Sequence, residues 1–235
     1  MRAAVWFIAL TALGARSASA ADNCERKDLQ NFKSLFARFS ESLYKAPALQ
    51  AAVALDGDAS LFSINQALAG KPLVGELTFK RPLQMLFSLD GLVEYRLLLN
   101  ESKAFEHIKS PAANSFNYYS SIESSELKFF KEILTALSQS ETQSWQVFSK
   151  NFECLSVADR GHLVSGEFKN RASSKLFDRI ELRFEASTAL LESLQIRSVG
   201  DEKTTLSFSK YDLKTTRTIP EALSIPAGAT VARWN

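Results

Sequence analysis

The eight residues GELTFKRP, at positions 75–82, combine a strand pattern with an arginine in an unexpected place. Side chains of a β-strand alternate between its two faces, so Leu77, Phe79 and Arg81 share one face. Beyond Pro82 the apolar residues of the same parity are Leu83, Met85 and Phe87. The alternation predicts an antiparallel sheet with one buried face. Either the strand ends before Arg81, or this apolar face has a use for a positive charge.

The first twenty residues, MRAAVWFIALTALGARSASA, have the pattern of a secretory signal peptide. Arg2 precedes an apolar run, and the run is followed by a cleavage site of small residues at positions 18–20. The run is shorter than the roughly 20 residues that a membrane span needs. We therefore predict residues 1–20 as a cleaved signal peptide and residues 21–235 as one exported, soluble domain.

The charge balance gives no sign of a nucleic-acid partner. Removal of Arg2 and Arg16 leaves 26 basic residues against 26 acidic ones, so the net charge falls from +2 to zero. Proteins that bind nucleic acid usually carry a basic excess. With 17 Phe and 46% apolar residues, the chain is long enough and apolar enough to bury a substantial core.

The chain has two cysteines, Cys24 and Cys154. In an oxidising compartment a single disulfide between them is the favoured interpretation. Two unpaired thiols are the alternative. A lipid anchor at Cys24 fits less well, because the preceding Ala21, Asp22 and Asn23 are not the small apolar set that lipoprotein processing requires.

Apolar residues recur at steps of three and four over residues 28–44, which predicts an amphipathic helix that Pro47 ends. Its latter part, LFARFSES at residues 35–42, could instead open a first strand. A short helix is predicted at residues 61–68 and a further one in SSELKFFKEILTAL, residues 124–137. The apolar stripe of that last helix consists of Leu127, Phe130, Ile133, Leu134 and Leu137.

Most other segments alternate with a period of two, as strands do, while residues 111–119 look like a loop. The predicted strands after Asp90 are residues 93–99, 103–109, 145–152, 162–168, 176–184, 190–199 and 203–213. The sequence therefore predicts a mainly β protein, a long antiparallel meander with about three helices.

The sequence contains no motif that indicates catalysis. His107 and His162 are far apart and have no metal-ligand spacing, and no nucleophile elbow or phosphate-binding loop is present. We therefore predict no metal, no cofactor and no enzymatic activity. Carboxylate pairs such as Asp178 with Glu181, or Glu181 with Glu185, could do acid–base work in a hydrolase. They fit the solvent faces of amphipathic strands better.

The apolar face of the predicted sheet must be covered, and the amphipathic helices can cover it. Where a curved sheet and its helices do not pack flush, an apolar pocket for lipid or acyl chains results. A fully packed core is the alternative, and periodicity does not separate the two.

Residues 75–82 resemble the G-x-L-x-x-K-R-P segment of the LolA family, the periplasmic carriers that take lipoproteins to the outer membrane. The hairpin at residues 95–107, the strands at residues 179–213 and the tail TIPEALSIPAGATVARW at residues 218–234 are similar to later segments of that family, in the same order. The chain departs from the family pattern at residues 100–103, where many members have Asp-Gly-Lys, and at Met85, where an aromatic residue is common.

The resemblance implies an unclosed barrel of about eleven antiparallel strands, with helices forming a lid over a hydrophobic cavity. Arg81 would reach inside and donate hydrogen bonds to the lid backbone, which would help to keep the empty cavity shut. The implied lid residues are Leu127, Phe130, Ile133 and Leu134. The implied cavity residues are Leu77, Phe79, Arg81, Met85, Phe87, Tyr95, Leu97, Ile180, Leu182 and Phe184.

The resemblance also implies a function, that of a monomeric periplasmic carrier or chaperone for acylated lipoprotein or lipid cargo. Its partners would be a releasing complex at the inner membrane and an acceptor at the outer membrane. The alternative is a sensor or adaptor module that uses the same half-barrel to bind a protein, and a hydrolase is the third hypothesis. The sequence leaves the identity of the cargo open.

Overall fold

The computed structural model describes residues 24, 26–57, 72–91, 93–122, 127–171 and 177–234. The predicted signal peptide, residues 1–20, and the predicted helix at residues 61–68 lie outside the described residues.

Three helices and twelve strands make up the described part of the chain. The helices are α1 (Arg26–Lys45), α2 (Leu127–Leu137) and α3 (Glu141–Asn151). The strands are β1 (Leu49–Gly57), β2 (Leu73–Lys80), β3 (Gln84–Asp90), β4 (Glu94–Leu99), β5 (Ala104–Ser110), β6 (Ala113–Tyr119), β7 (Phe152–Asp159), β8 (Leu163–Asn170), β9 (Phe177–Glu185), β10 (Leu191–Ser198), β11 (Lys203–Asp212) and β12 (Thr230–Trp234).

All twelve strands belong to one sheet, in the order β12-β6-β5-β4-β3-β2-β1-β11-β10-β9-β8-β7. Every pairing is antiparallel except that of β12 with β6, which is parallel. Strands β7 and β12 form the two edges, so the sheet is not closed into a barrel. The predicted fold class, an unclosed antiparallel sheet with helices, is confirmed, with twelve strands where about eleven were expected.

Helix α1 includes the whole of LFARFSES, so the alternative of a strand at residues 35–42 is wrong. Its apolar residues at helical spacing are buried against the sheet. These buried residues are Phe32, Leu35, Phe36, Phe39 and Leu43. Asp28 in the first turn and Lys45 in the last turn both suit the helix dipole.

The predicted strand at residues 145–152 is wrong, because this segment is helix α3 up to Asn151. Trp145 and Phe148 are three residues apart, so the helix places both against α1 and the sheet. The Phe148 ring lies 4.9 Å from the Phe36 ring and 5.0 Å from the Phe168 ring, between ring centres. Burial of these rings outweighs the strand propensity of Trp, Val and Phe.

Four strands were not predicted, namely β1, β6, β7 and β12; β7 shares only Phe152 with the wrongly predicted strand at residues 145–152. Strand β1 follows Pro47 and buries alternate apolar residues, Leu49, Ala51, Val53 and Leu55. The loop predicted at residues 111–119 is wrong, because β6 pairs along its length with β5. Phe116 is the only buried residue of β6, and the other residues of this strand are exposed or half-buried. The sequence of β6 therefore lacks the alternation of apolar and polar residues that indicates a strand. Strand β12 is short and joins the sheet only through β6.

Strand β2 ends at Lys80, and Arg81 lies in the turn that follows. The Arg81–Pro82 peptide bond is cis. Of the two alternatives, the strand that ends before Arg81 is therefore correct, and the interpretation in which Arg81 continues its apolar face is wrong. The alternation begins again in β3, where Met85, Phe87 and Leu89 are buried.

An aromatic cluster fixes α1 and α3 to strands β8 and β9. We define it as Phe32, Phe36, Trp145, Phe148, Phe168 and Phe184, whose neighbouring ring centres lie 4.9 to 6.3 Å apart. A Cβ at Gly166 would lie 2.8 Å from the Phe32 ring, so glycine is required beneath the cluster. Cys24 and Cys154 form a disulfide that joins the chain just before α1 to β7.

Candidate functional site

An apolar pocket lies between the inner face of the sheet and helices α1 and α2. Its cavity volume is about 70 Å³. Strands β1 to β4, β10 and β11 contribute to its walls. It is lined by Phe39, Leu43, Leu49, Leu77, Phe79, Met85, Phe87, Leu97, Phe130, Ile133, Leu134, Leu137, Leu191, Leu194, Leu206, Phe208 and Tyr211.

The strand register explains why the pocket wall formed by β1 to β4 is continuous. Leu77 is the partner of Phe87 in the β2–β3 pairing, and Phe87 is the partner of Leu97 in the β3–β4 pairing. These three side chains therefore form one row across three strands. Leu49, Phe79 and Met85 form a second row in the same way. Directly paired side chains on one face lie close enough to pack, so the rows make an unbroken apolar surface.

The opposite wall comes from strands β10 and β11. Leu194 and Leu206 are direct partners in the β10–β11 pairing, and both line the pocket. Strand β1 lies between β2 and β11 and so connects the two walls. The pocket is thus enclosed by the middle strands of the sheet rather than by its edges.

The lining has one polar atom of note, the hydroxyl oxygen of Tyr211. This hydroxyl donates a hydrogen bond to the backbone carbonyl of Leu191. Burial raises the pKa of the Tyr211 hydroxyl, so the group stays neutral. Among the residues that the structure describes, no charged side chain lines this pocket. The described lining therefore offers apolar contact and no evident group for acid–base or nucleophilic chemistry.

Helix α2 covers the pocket and packs on α1 and α3. Phe130, Ile133 and Leu134 point into the pocket from this helix, whereas the implied lid residue Leu127 is buried without lining it. Phe130, Ile133 and Leu134 are spaced by three and four residues, so they lie on one face of the helix.

The structure brings together five of the implied cavity residues and separates the others from the pocket. Leu77, Phe79, Met85, Phe87 and Leu97 line it. The remaining implied residues do not. Tyr95, Ile180, Leu182 and Phe184 are buried elsewhere in the core, and Arg81 lies in the turn after β2.

Nine residues that line the pocket were missed. They are Phe39, Leu43, Leu49, Leu137, Leu191, Leu194, Leu206, Phe208 and Tyr211. The alternation of β10 and β11 marks an apolar face, but it does not say which part of that face borders a gap and which part is packed. For Phe39 and Leu43 the helical spacing predicts burial and nothing more.

Arg81 contacts helix α1 through an aromatic ring. Its guanidinium carbon lies 4.2 Å from the centre of the Tyr44 ring, a cation–π distance. Its Nε is buried without a hydrogen-bond partner. Among the described residues, the hydrogen bonds from Arg81 to the lid backbone that the resemblance implied are not found.

A buried carboxylate, Glu106 on β5, lies on the same face of the sheet as the pocket. It accepts hydrogen bonds from the hydroxyl of Tyr95 at 2.9 Å, the amide nitrogen of Asn117 at 2.8 Å and the hydroxyl of Tyr119 at 3.2 Å. Glu106 is the strand partner of Leu97, so this polar cluster adjoins the pocket wall. The three donors satisfy the carboxylate, as a buried polar group requires.

The described ranges contain neither a cluster of metal-ligating side chains nor a helix that could cross a membrane. No group of three or more His, Cys, Asp or Glu side chains there is placed to hold a metal ion. None of the described helices combines the length and hydropathy that crossing a membrane requires. The described chain is an open antiparallel sheet around a helix-covered apolar pocket.

No family model and no curated protein matches the chain. An uncharacterized conserved protein from Thermus thermophilus is 10% identical, with a TM-score of 0.47, over 87% of this chain and 99% of that one. A LolA superfamily protein from Nitrosomonas europaea is 11% identical, with a TM-score of 0.39, over 80% of this chain and 94% of that one. The lipoprotein LppX from Mycobacterium tuberculosis is 14% identical, with a TM-score of 0.37, over 82% of this chain and 98% of that one.

Proposed function

We propose that this protein is a periplasmic carrier that binds the acyl chains of lipoproteins or lipids in the apolar pocket and delivers them towards the outer membrane. A releasing complex at the inner membrane would load it, and an outer-membrane acceptor would unload it. The observation that carries the proposal is the pocket lining, in which the hydroxyl of Tyr211 is already hydrogen-bonded and every other side chain is apolar.

Such a lining favours a hydrocarbon chain over other ligands. Each buried methylene group contributes about 0.8 kcal/mol to binding. A polar head group would find no partner among the lining residues, and burying it unpaired would cost free energy. The head group therefore stays at the mouth of the pocket while the chain enters.

Loading requires the pocket to widen, because its cavity volume is only about 70 Å³. Helices α1 and α3 are held by the aromatic cluster and by the Cys24–Cys154 disulfide. Helix α2 packs on these two helices and meets the pocket through its apolar face. We therefore assign α2 as the lid that moves.

Arg81 stabilises the closed form in this proposal. Its stacking on Tyr44 joins the β2–β3 turn to the end of α1, next to pocket residues Phe79 and Leu43. A chain that pushes these walls apart must break the contact. Arg81 therefore opposes loading and favours release.

Native mass spectrometry of the protein purified from the periplasm tests the proposal. We expect a population with added masses in the range of lipids, which is lost under denaturing conditions because binding is non-covalent. Protein without any such mass, together with a stoichiometric protein partner, would favour the adaptor alternative and contradict the carrier.

A further inference from the structure

A second cavity lies on the outer face of the sheet, opposite the apolar pocket. Strands β4, β5 and β6 form its floor, and the segment at residues 223–227 forms its roof. Its volume is about 350 Å³, which falls within the roughly 300–1,000 Å³ of small-molecule sites. Its floor is lined by Glu94, Arg96, His107, Lys109 and Asn114, and its roof by apolar and small residues of the segment at 223–227. We call it the outer cleft.

Hydrogen bonds hold the roof above the floor. The side-chain amide of Asn114 donates to the carbonyl of Ala227 at 3.3 Å. The side-chain amide of Asn100 donates to the carbonyl of Glu221 at 2.9 Å. The roof is thus attached on both sides of residues 223–226, and the space beneath it is part of the fold.

The floor carries four ionisable side chains, two from β4 and two from β5, that lie opposite each other in pairs. Arg96 and His107 are direct strand partners, as are Glu94 and Lys109. The ammonium group of Lys109 lies 2.8 Å from a carboxylate oxygen of Glu94. This hydrogen bond is the main reason that the pKa of Glu94 is lowered. The charge of Glu94 is thus compensated mainly by Lys109, and Arg96 and His107 act on Glu94 only as weaker causes.

Arg96 is left as the cation that faces the outer cleft. It is exposed, and it forms no ion pair or hydrogen bond with the described residues. His107, by contrast, is 7% exposed and its Nε2 lies 3.0 Å from the side-chain oxygen of Asn114. Because the amide nitrogen of Asn114 donates to Ala227, its oxygen accepts, so His107 Nε2 carries the donated proton.

We propose that the outer cleft binds a small organic molecule that carries an oxyanion, either a carboxylate or a phosphate. The planar guanidinium of Arg96 matches the geometry of both groups and can bind either through two hydrogen bonds. Leu223 and Pro226 provide an apolar surface for the rest of the molecule. This site lies on the other face of the sheet, so it is independent of the carrier function.

Isothermal titration of the full mature chain at constant ionic strength tests the site, with phenyl phosphate and benzoate as probes. We expect saturable binding of at least one probe at one site, with a matching shift of the His107 ring signals in NMR spectra. Arg96→Gln should weaken this binding by about tenfold or more. Benzyl alcohol, which has the same ring without the anion, should not bind.

The matched control is Arg160→Gln, which removes the same charge from an exposed arginine in the β7–β8 turn, outside the outer cleft. It should bind the probe as the unchanged protein does. The proposal is overturned if neither probe binds saturably, if Arg160→Gln weakens binding as much as Arg96→Gln, or if benzyl alcohol binds as well as the anions.

Discussion

The guanidinium carbon of Arg81 lies 4.2 Å from the centre of the Tyr44 ring, so the turn after β2 is joined to the last turn of α1. Strand β2 lines the apolar pocket through Leu77 and Phe79, and helix α1 lines it through Phe39 and Leu43. The contact therefore connects two walls of the proposed binding site.

A double-mutant cycle measures this contact. We expect Arg81→Leu and Tyr44→Leu to show a coupling free energy of about 0.5–1 kcal/mol, because a partly exposed cation–π pair is worth that much. Urea unfolding of the two single variants and the double variant gives the value. Effects that add without coupling would show that the pair does not hold the two walls together.

The disulfide should stabilise the fold without contributing to the pocket. Cys24 and Cys154 are separated by 130 residues, and closing so long a loop restricts the unfolded chain strongly. We expect the double variant Cys24→Ser, Cys154→Ser to lose about 2–5 kcal/mol of unfolding free energy. Neither cysteine lines the pocket, so the affinity for an acyl probe should not change. A loss of affinity at temperatures where the variant is folded would contradict this.

Glu41 on α1 makes the packing of α3 sensitive to acid. Its carboxylate accepts a hydrogen bond from the backbone N–H of Glu141 at 3.0 Å, at the start of α3. This bond is the largest cause of the lowered pKa of Glu41, followed by Lys45. Because the pKa is lower in the folded state, the stabilisation is present above the unfolded pKa of about 4.3 and is lost as the pH falls through the folded value.

The variant Glu41→Gln tests that pH dependence. Its urea midpoint should lie below that of the unchanged protein at pH 6, and the difference should shrink as the pH falls below about 4. Glu192→Gln, which alters an exposed carboxylate on β10, is the control. A difference that does not vary with pH would rule out the assigned role of Glu41.

Glu106 should be important for stability, because three buried or half-buried donors depend on it. Glu106→Ala removes the acceptor of these three hydrogen bonds, and removing one partner of a buried hydrogen bond costs about 1–3 kcal/mol. We expect a loss of at least about 2 kcal/mol in urea unfolding, against a change within about 0.5 kcal/mol for Glu192→Ala. Equal effects of the two substitutions would show that the Glu106 cluster does not stabilise the sheet.

The sequence was informative wherever burial follows a single period. The spacing of Phe32, Phe36 and Phe39 gave α1, and the alternation of Ile180, Leu182 and Phe184 gave β9. The local pattern predicts the wrong element where tertiary contacts decide the secondary structure. Trp145 and Phe148 favour a strand locally but are buried on a helix by their aromatic neighbours.

The candidate site was only partly predictable for a related reason. Parity shows which side chains face the core, but a gap exists only where facing surfaces fail to meet. Phe184 and Phe87 are both buried and inward, yet Phe184 packs in the aromatic cluster and Phe87 lines the pocket. Arg81 was misplaced because parity was extended past Lys80, beyond the point where the strand ends.

The central claim is that acyl chains bind between α2 and the sheet, and a fluorescence titration with cis-parinaric acid tests it most directly. The unchanged protein should bind the probe saturably. Leu134→Glu, which places a charge in the pocket, should weaken binding by about tenfold or more. Thr135→Glu, on the same helix but outside the lining, should bind as the unchanged protein does. No saturable binding, or equal binding by Leu134→Glu and the unchanged protein, would contradict the account.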